Sequence, residues 1–209
     1  MDPRMLWNAN RLMAFALAFL LQPVVSFATW KEVGNQDGIH IYERWIELPD
    51  YGRIRERKGE MLLKSTPALA LMTLRDPARN RSWMDQVQQC YVLGKPQQDS
   101  WYAYTSFSLP WPFENREMVT LSRLKYVDDR TAIIEINSAR YPGLPSTGFK
   151  RVEGYNAVWR IEDKGNNQVL LSLTTRSYLP PEFPRIVHDP VIRNVLLRNL
   201  LRLKLILSI

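Results

Sequence analysis

The side chains able to do acid–base, nucleophilic or metal chemistry are few in this sequence and poorly spaced for it. Its two histidines, His40 and His188, lie far apart, and neither stands in a Cys, Asp or Glu cluster with metal-ligand spacing. The lone Cys90 can neither close an intrachain disulfide nor anchor a multi-cysteine zinc site. His188-Asp189 without a nucleophile motif is no triad, so both histidines are read as surface or loop residues. No metal and no cofactor is expected. Arg53, Arg55 and Arg57 share one strand parity beside Glu56 and Glu60, the pattern of a solvated strand face. The excess of 28 Lys and Arg over 21 Asp and Glu favours anionic partners. No nucleic-acid-binding module accompanies that charge, so nucleic acid is not among the partners expected. What the chain has in quantity is aromatic: 7 Trp, 9 Tyr and 7 Phe, which must fill a core or line something.

The elements that must hold these residues follow from local patterns. Of 209 residues, 45% are hydrophobic and 23% charged, which excludes a disordered chain and suits one domain. Met1 to Ala28 has the layout of a secretory signal peptide: Arg4 and Arg11, an uncharged apolar run from Leu12 to Leu21, Pro23, and small residues at Ser26 and Ala28. The run is short for a membrane span, so cleavage near Ala28 is favoured over an uncleaved anchor. The expectation is an exported, periplasmic or secreted domain over residues 29–209, in which a single unpaired thiol is compatible with an oxidising compartment.

Strand-like segments dominate that domain, at 38–45, 54–63, 86–94, 100–109, 117–127, 131–138, 152–162 and 168–178. Short helical pieces follow Ser65-Thr66-Pro67 and run through Asn80 to Met84. Turns at Asp128-Asp129-Arg130 and Lys164 to Asn167 make neighbouring strands antiparallel. A long helix closes the chain, with Asp189 as N-cap and Pro190 at its first position. The fold class is α+β, and the lone helix has one obvious place to go: across the concave face of a curved antiparallel sheet. Strand parity puts Trp101, Ala103, Thr105, Phe107, Ile134, Ile136, Trp159, Leu171 and Leu173 inward, with Thr105 and Thr120 interrupting the apolar surface. Such a face is either an ordinary core or, because one helix covers only a strip of a broad sheet, the wall of a cavity. The inward sets hold no titratable pair and no buried charge pair is expected.

A family becomes recognisable at Pro110-Trp111-Pro112-Phe113-Glu114-Asn115-Arg116-Glu117-Met118-Val119, which resembles the P-[WF]-P-x-x-[DN]-R-[DE]-x-V segment of START lipid-transfer domains, especially exported bacterial ones. Asp76 with Trp83, Gly38 to Tyr42, and Pro145 to Trp159 resemble further segments of that family, in the right order over nearly all of residues 29–209. The resemblance implies a helix-grip fold, a tunnel between sheet and C-terminal helix, and binding or transfer of one lipid or other hydrophobic molecule without catalysis. The expected lining is Trp101, Thr105, Phe107, Met118, Thr120, Ile134, Ile136, Trp159, Leu171, Leu173, Leu196 and Leu200. Two departures matter. Where family members often carry an Arg paired to an acid on the preceding strand, this chain has Ser122, and residues 100–109 contain no Asp or Glu. The N-terminal helix of longer members is also nearly absent, since the first expected strand starts at Gly38. The alternative is a helix-grip enzyme of the polyketide cyclase or aromatase type, which would need an inward titratable pair.

Three further residues or faces are open to two readings. Arg116 either contacts ligand or, with Glu117, ties the Pro-rich loop to the sheet. Trp111 either caps a tunnel entrance or inserts into lipid. On the last helix Ile192, Leu196, Leu200, Leu203 and Leu207 form one apolar stripe, and Leu197, Leu201 and Leu205 a second. The second stripe either packs on a neighbouring loop or meets an anionic membrane surface, with flanking Arg and Lys reaching headgroups. The protein is expected to be a monomer.

Overall fold

The computed structural model describes residues 29–209 apart from Pro110, Pro112, Pro145, Ser146 and Ile209; the expected signal peptide lies outside the described residues. The chain runs through β1 (Lys31–Gln36), β2 (Ile39–Leu48) and β3 (Gly52–Lys64), then the short helices α1 (Pro67–Arg75) and α2 (Pro77–Trp83). There follow β4 (Val87–Leu93), β5 (Ser100–Phe107), β6 (Arg116–Asp128), β7 (Thr131–Ser138), the two-residue β8 (Lys150–Arg151), β9 (Tyr155–Gly165) and β10 (Gln168–Ser177). The helix α3 (Arg185–Leu207) comes last. One curved sheet takes the order β1-β2-β3-β10-β9-β7-β6-β5-β4, antiparallel throughout this path, with β8 pairing parallel to the start of β6.

Two strands escaped the sequence reading. β1 carries no apolar alternation and forms because Asp37 and Gly38, both at positive φ, make a two-residue hairpin turn onto β2. β8 is too short to leave a pattern. The α1 start lies where the sequence pattern places it, whereas α2 begins at Pro77, three residues before the helical piece expected at Asn80. Thr66 Oγ1 accepts from the Leu69 amide at 3.2 Å and Asp76 Oδ1 from the Ala78 amide at 3.0 Å, each before a proline at the first helical position. The start of α3 was misplaced. The helix begins at Arg185 without a side-chain cap, Pro190 lies inside it, and Asp189 is a buried interior residue rather than a cap. An electrostatic partner, not a terminal amide, claims that carboxylate.

The core sits between the concave face and the helices. Cross-strand registers put Ile39, Met61, Leu171, Ile161 and Ala132 in one row and Ile41, Gly59, Leu173, Trp159 and Ile134 in the next. Leu196, Leu200, Leu203 and Leu207 of α3 are buried against this surface. The helix comes closest at Gly59, where an added Cβ would lie 2.2 Å from Leu200 Cδ1 and 3.3 Å from Ile41 Cδ1. Gly59 is therefore a seat for Leu200, required for space and not for backbone conformation. Gly59→Ala is expected to lower unfolding free energy by about 1–3 kcal/mol through overpacking. Combined with Leu200→Ala it should cost less than the two single changes summed, because the small side chain vacates the seat. Denaturant melts of the three variants measure both; strict additivity would show that Gly59 and Leu200 do not meet.

Candidate ligand-binding site

All ten strand residues expected to line a cavity are on the concave parity. β5 contributes Trp101, Thr105 and Phe107, which pair across to Ser122, Met118 and Arg116. Thr120 lies opposite Ala103, and Ile134 and Ile136 face the same way on β7. Trp159 on β9 and Leu171 and Leu173 on β10 continue the face. Leu196 and Leu200 are on the buried side of α3.

These residues divide by how tightly they are held. Trp101, Ile134, Trp159, Leu171, Leu173, Leu196 and Leu200 belong to the packed core, where Trp159 meets Trp83 of α2 edge-on at 5.9 Å between ring centroids. Thr105, Met118 and Thr120 are buried outside that cluster, and Phe107 and Ile136 are half-buried. The Thr105 hydroxyl lies 3.2 Å from Cys90 Sγ, and burial pushes the Cys90 thiol up, so it is an inert core group. Tyr155, on the same face, is pushed up to about 12 by burial and keeps its proton.

The expectation of no buried charge pair is overturned at the other side of the face. The row that begins Trp101, Ser122, Ile136, Ala157 continues through Thr175 to Arg57 and Glu43. Arg57 donates from Nε to Glu43 at 3.2 Å and from Nη2 to Asp189 of α3 at 2.6 Å. Arg55 Nη1 reaches Glu43 at 3.0 Å and Asp189 at 2.7 Å. Arg193 Nη2 adds Glu43 at 3.3 Å, and Arg185 Nη1 comes within 3.8 Å of Asp189. Glu43, Arg57 and Asp189 are 8%, 7% and 5% exposed, so Arg55 and Arg57 are not a solvated strand face. His188 is half-buried in the helix, 3.4 Å from Asp189, rather than in a loop. Burial works to raise the Asp189 carboxyl, but the His188 contact and the Arg57, Arg55 and Arg185 charges outweigh it and hold it below its ordinary value. Burial pulls the Arg57 guanidinium down, against the opposing pull of Glu43 and Asp189.

The signal for this cluster was in the sequence. Met61 and Leu63 are inward, and stepping back by twos from them gives Gly59, Arg57 and Arg55; Ile39 and Ile41 give Glu43 by the same step. Three charged residues on an inward parity override the usual inference that charge means solvent.

One end of the sheet gathers the remaining candidates. Here the strand pair β2–β3 turns, β6 starts and α3 begins. Arg116 does not pair with Glu117. It grips Glu182 in the segment before α3, with Lys150 on the same carboxylate, and these two cations hold Glu182 down to about 2. Glu117 is buried on the convex side, accepting from Tyr104, Thr147 and Arg151. Phe113 packs on Phe183 at 5.0 Å. Beside them Trp111 is 92% exposed and Ile186 85% exposed, with Val187, Val191, Leu179 and Tyr51 also exposed.

The second stripe of α3 is largely used up by the protein itself. Leu197 and Leu201 pack on the core, leaving Leu205 exposed. Arg198 and Arg202 bind Asp85 at 2.7 and 3.2 Å, the Asp85 amide donates to Asn199 Oδ1, and Lys204 donates to the Asp37 carbonyl. The loop after α2 thus clasps the helix from its second side, and its basic residues are engaged internally.

The charge cluster makes a signed prediction. Because the Asp189 carboxyl is lowered in the folded protein, its stabilisation is complete above the ordinary carboxyl range and is lost as pH falls through the folded value. Asp189→Asn should cost about 3 kcal/mol at pH 7, leaving Arg55 and Arg57 short of a partner. The deficit should hold from pH 7 to about 5 and shrink below about 4. Urea melts at several pH values test this, and a deficit that grows in acid would contradict it.

Comparisons agree with this architecture. The START domain family model matches residues 13–185. A search of curated protein sequences gives no match. Among solved structures, a STAR-related lipid transfer protein from Xanthomonas axonopodis (fragment 25–204) is 22% identical, with a TM-score of 0.74 over 84% of this chain and 96% of that one. Human STARD10 is 16% identical, with a TM-score of 0.70 over 85% of this chain and 72% of its own. The human StarD13 lipid transfer and protein localization domain is 13% identical, with a TM-score of 0.73 over 96% of both. With a curved antiparallel sheet gripping its last helix and the family model spanning most of its length, this chain belongs to the START domain family.

Proposed function

We propose that this protein holds one lipid, or a similar hydrophobic molecule, between the concave sheet and α3 and carries it without chemical change. The observation that carries the reading is the uneven packing of that face. The half under Leu200, Leu203 and Leu207 is solid core, while Phe107, Met118 and Thr120 lie outside that core, on cross-strand rows beyond the one whose Arg57 binds the first half of α3. Family membership supports the same reading, since START domains are a lipid-binding family. The apolar leader expected at residues 1–28 adds export to the periplasm or beyond, and the protein is proposed to work as a monomer.

The enzyme alternative is weaker, although inward titratable groups do exist. A general acid or base works best with a pKa near the operating pH. Asp189 is instead held ionised by guanidinium groups, and no group of three His, Cys, Asp or Glu able to hold a metal occurs among the described residues. The experiment is mass spectrometry of organic extracts from purified protein, followed by uptake of a fluorescent lipid. Ala103→Trp and Ile136→Trp, each confirmed folded by circular dichroism, are expected to lower uptake at least about tenfold by filling the space. Undiminished uptake by both folded variants would remove this face from the binding site.

The membrane contact is proposed at the end of the sheet and not along the second leucine stripe. Trp111 and Ile186 are large apolar groups standing in solvent next to the Phe113–Phe183 pair, with Arg116, Lys150 and Arg185 nearby to meet anionic headgroups. Trp111→Ser should weaken co-sedimentation with anionic vesicles about tenfold, whereas Leu205→Ser should leave it unchanged. The reverse pattern would return the contact to the helix stripe.

A further inference from the structure

The charge cluster under the first half of α3 is one negative charge short. Arg55, Arg57 and Arg193 bring three guanidiniums to the two carboxylates of Glu43 and Asp189, and Arg185 stands 3.8 Å from Asp189 as a fourth. In water that imbalance would be trivial. Arg57, Glu43 and Asp189 are 7%, 8% and 5% exposed, while the Arg55 and Arg193 side chains that carry the surplus are 20% and 31% exposed. The excess charge is thus partly screened but still withdrawn from bulk water at a cost. The shortage is also visible atom by atom. Arg55 and Arg57 each reach both carboxylates, but Arg193 uses only Nη2, at 3.3 Å from Glu43, and its Nε is buried with no acceptor among the described residues. A guanidinium with a free donor beside its bonded one offers two parallel N–H groups, the geometry that takes an oxyanion in a bidentate grip.

The neighbouring aromatic surface favours an anion over a choline-like cation. The Trp45 ring, which could otherwise stack on a quaternary ammonium, already carries Arg55 at 4.4 Å and Arg53 and Arg185 each at 4.8 Å from its centroid. Adding a fourth cation there would meet like charge. On the same cross-strand row as Arg57 and Glu43 lie Thr175, Ala157, Ile136 and Ser122, so a head held at Arg193 has an apolar path with hydroxyls leading away from it along the concave face.

Building on the lipid-carrier reading, we propose that the cluster is the headgroup subsite, and that the ligand is a lipid with a net negative oxyanion head, a phosphodiester or a carboxylate, gripped by Arg193 and neutralising the excess charge. The test loads the full chain from vesicles of equal phosphatidylglycerol and phosphatidylcholine, with a second arm of phosphatidylcholine vesicles containing oleate. Lipid bound to the re-isolated protein is measured by mass spectrometry. Phosphatidylglycerol or oleate is expected to be enriched at least about tenfold over phosphatidylcholine. Arg193→Gln should collapse that enrichment to within about twofold, Arg193→Lys should leave part of it, and the exposed Arg123→Gln should leave it intact; thermal melts confirm that each variant is folded. Millimolar inorganic phosphate should not release the lipid, and release by phosphate alone would reassign the site to a free anion. Equal uptake of both lipids by the native chain, or an unchanged preference in folded Arg193→Gln, overturns the headgroup subsite while leaving the carrier reading standing. Uptake of no lipid overturns both.

Discussion

Two carboxylates that must be neutralised inside the concave face, Glu43 and Asp189, decide where the first half of α3 lies. Neither can reach water as a paired surface charge would, so Arg55 and Arg57 have to sit between them, bridging sheet and helix. That requirement explains why a helix with no side-chain cap and with Pro190 in its interior still runs back to Arg185. It also sets a contrast along α3. From Leu196 onward the helix is held by leucines packed on the core, Leu200 among them seated on Gly59, and by the Asp85 clasp. Before that point it is held by ion pairs, which are directional and exchangeable in a way that close-packed leucines are not.

The contrast gives a mechanical picture of ligand movement. The leucine-packed half of α3 and the clasp from the loop after α2 form a fixed frame. The segment from Tyr178 to Asp189 is attached by Arg116 and Lys150 to Glu182, by Phe113 on Phe183, and by the charge cluster. These contacts surround the end of the sheet where Trp111 and Ile186 are exposed. A membrane surface rich in phosphate competes for the same arginines and lysines, so docking and loosening of this segment are linked through one set of charges.

Much of this was legible in the sequence, and the reasons it was legible are specific. Period-two alternation in β5, β7, β9 and β10 shows which side chains face inward, because the inward parity is almost wholly apolar while the outward parity mixes residues such as Ile133, Val158 and Leu170 with Ser106, Glu135, Arg160 and Ser172. Thr66-Pro67 announces α1 by its capping chemistry, while at Asp76-Pro77 the same signal for α2 is obscured because that proline also ends α1. The same logic failed where charge and burial coincide. Arg55, Arg57 and Glu43 sit on inward parities, and Asp189-Pro190 imitates a helix start, yet each takes its place from a partner distant in sequence: the Arg57–Asp189 pair spans 132 residues. Local pattern cannot register such a partner. The engagement of Arg198, Arg202 and Lys204 by Asp85 and Asp37 was hidden for the same reason, which is why the sequence left the second leucine stripe open between a loop and a membrane.

The central claim, a lipid held between the concave sheet and α3, is tested most directly by photo-crosslinking. The protein is loaded with a lipid carrying a diazirine on its acyl chain, irradiated, and the labelled peptides are mapped by mass spectrometry. Label is expected on concave-face residues of β5, β6 and β7, such as Phe107, Met118 and Ile136, and on the buried side of α3 at Leu196. Label confined to exposed side chains such as Leu62, Tyr91 or Leu205 would mean that lipid only coats the surface, and would contradict the claim.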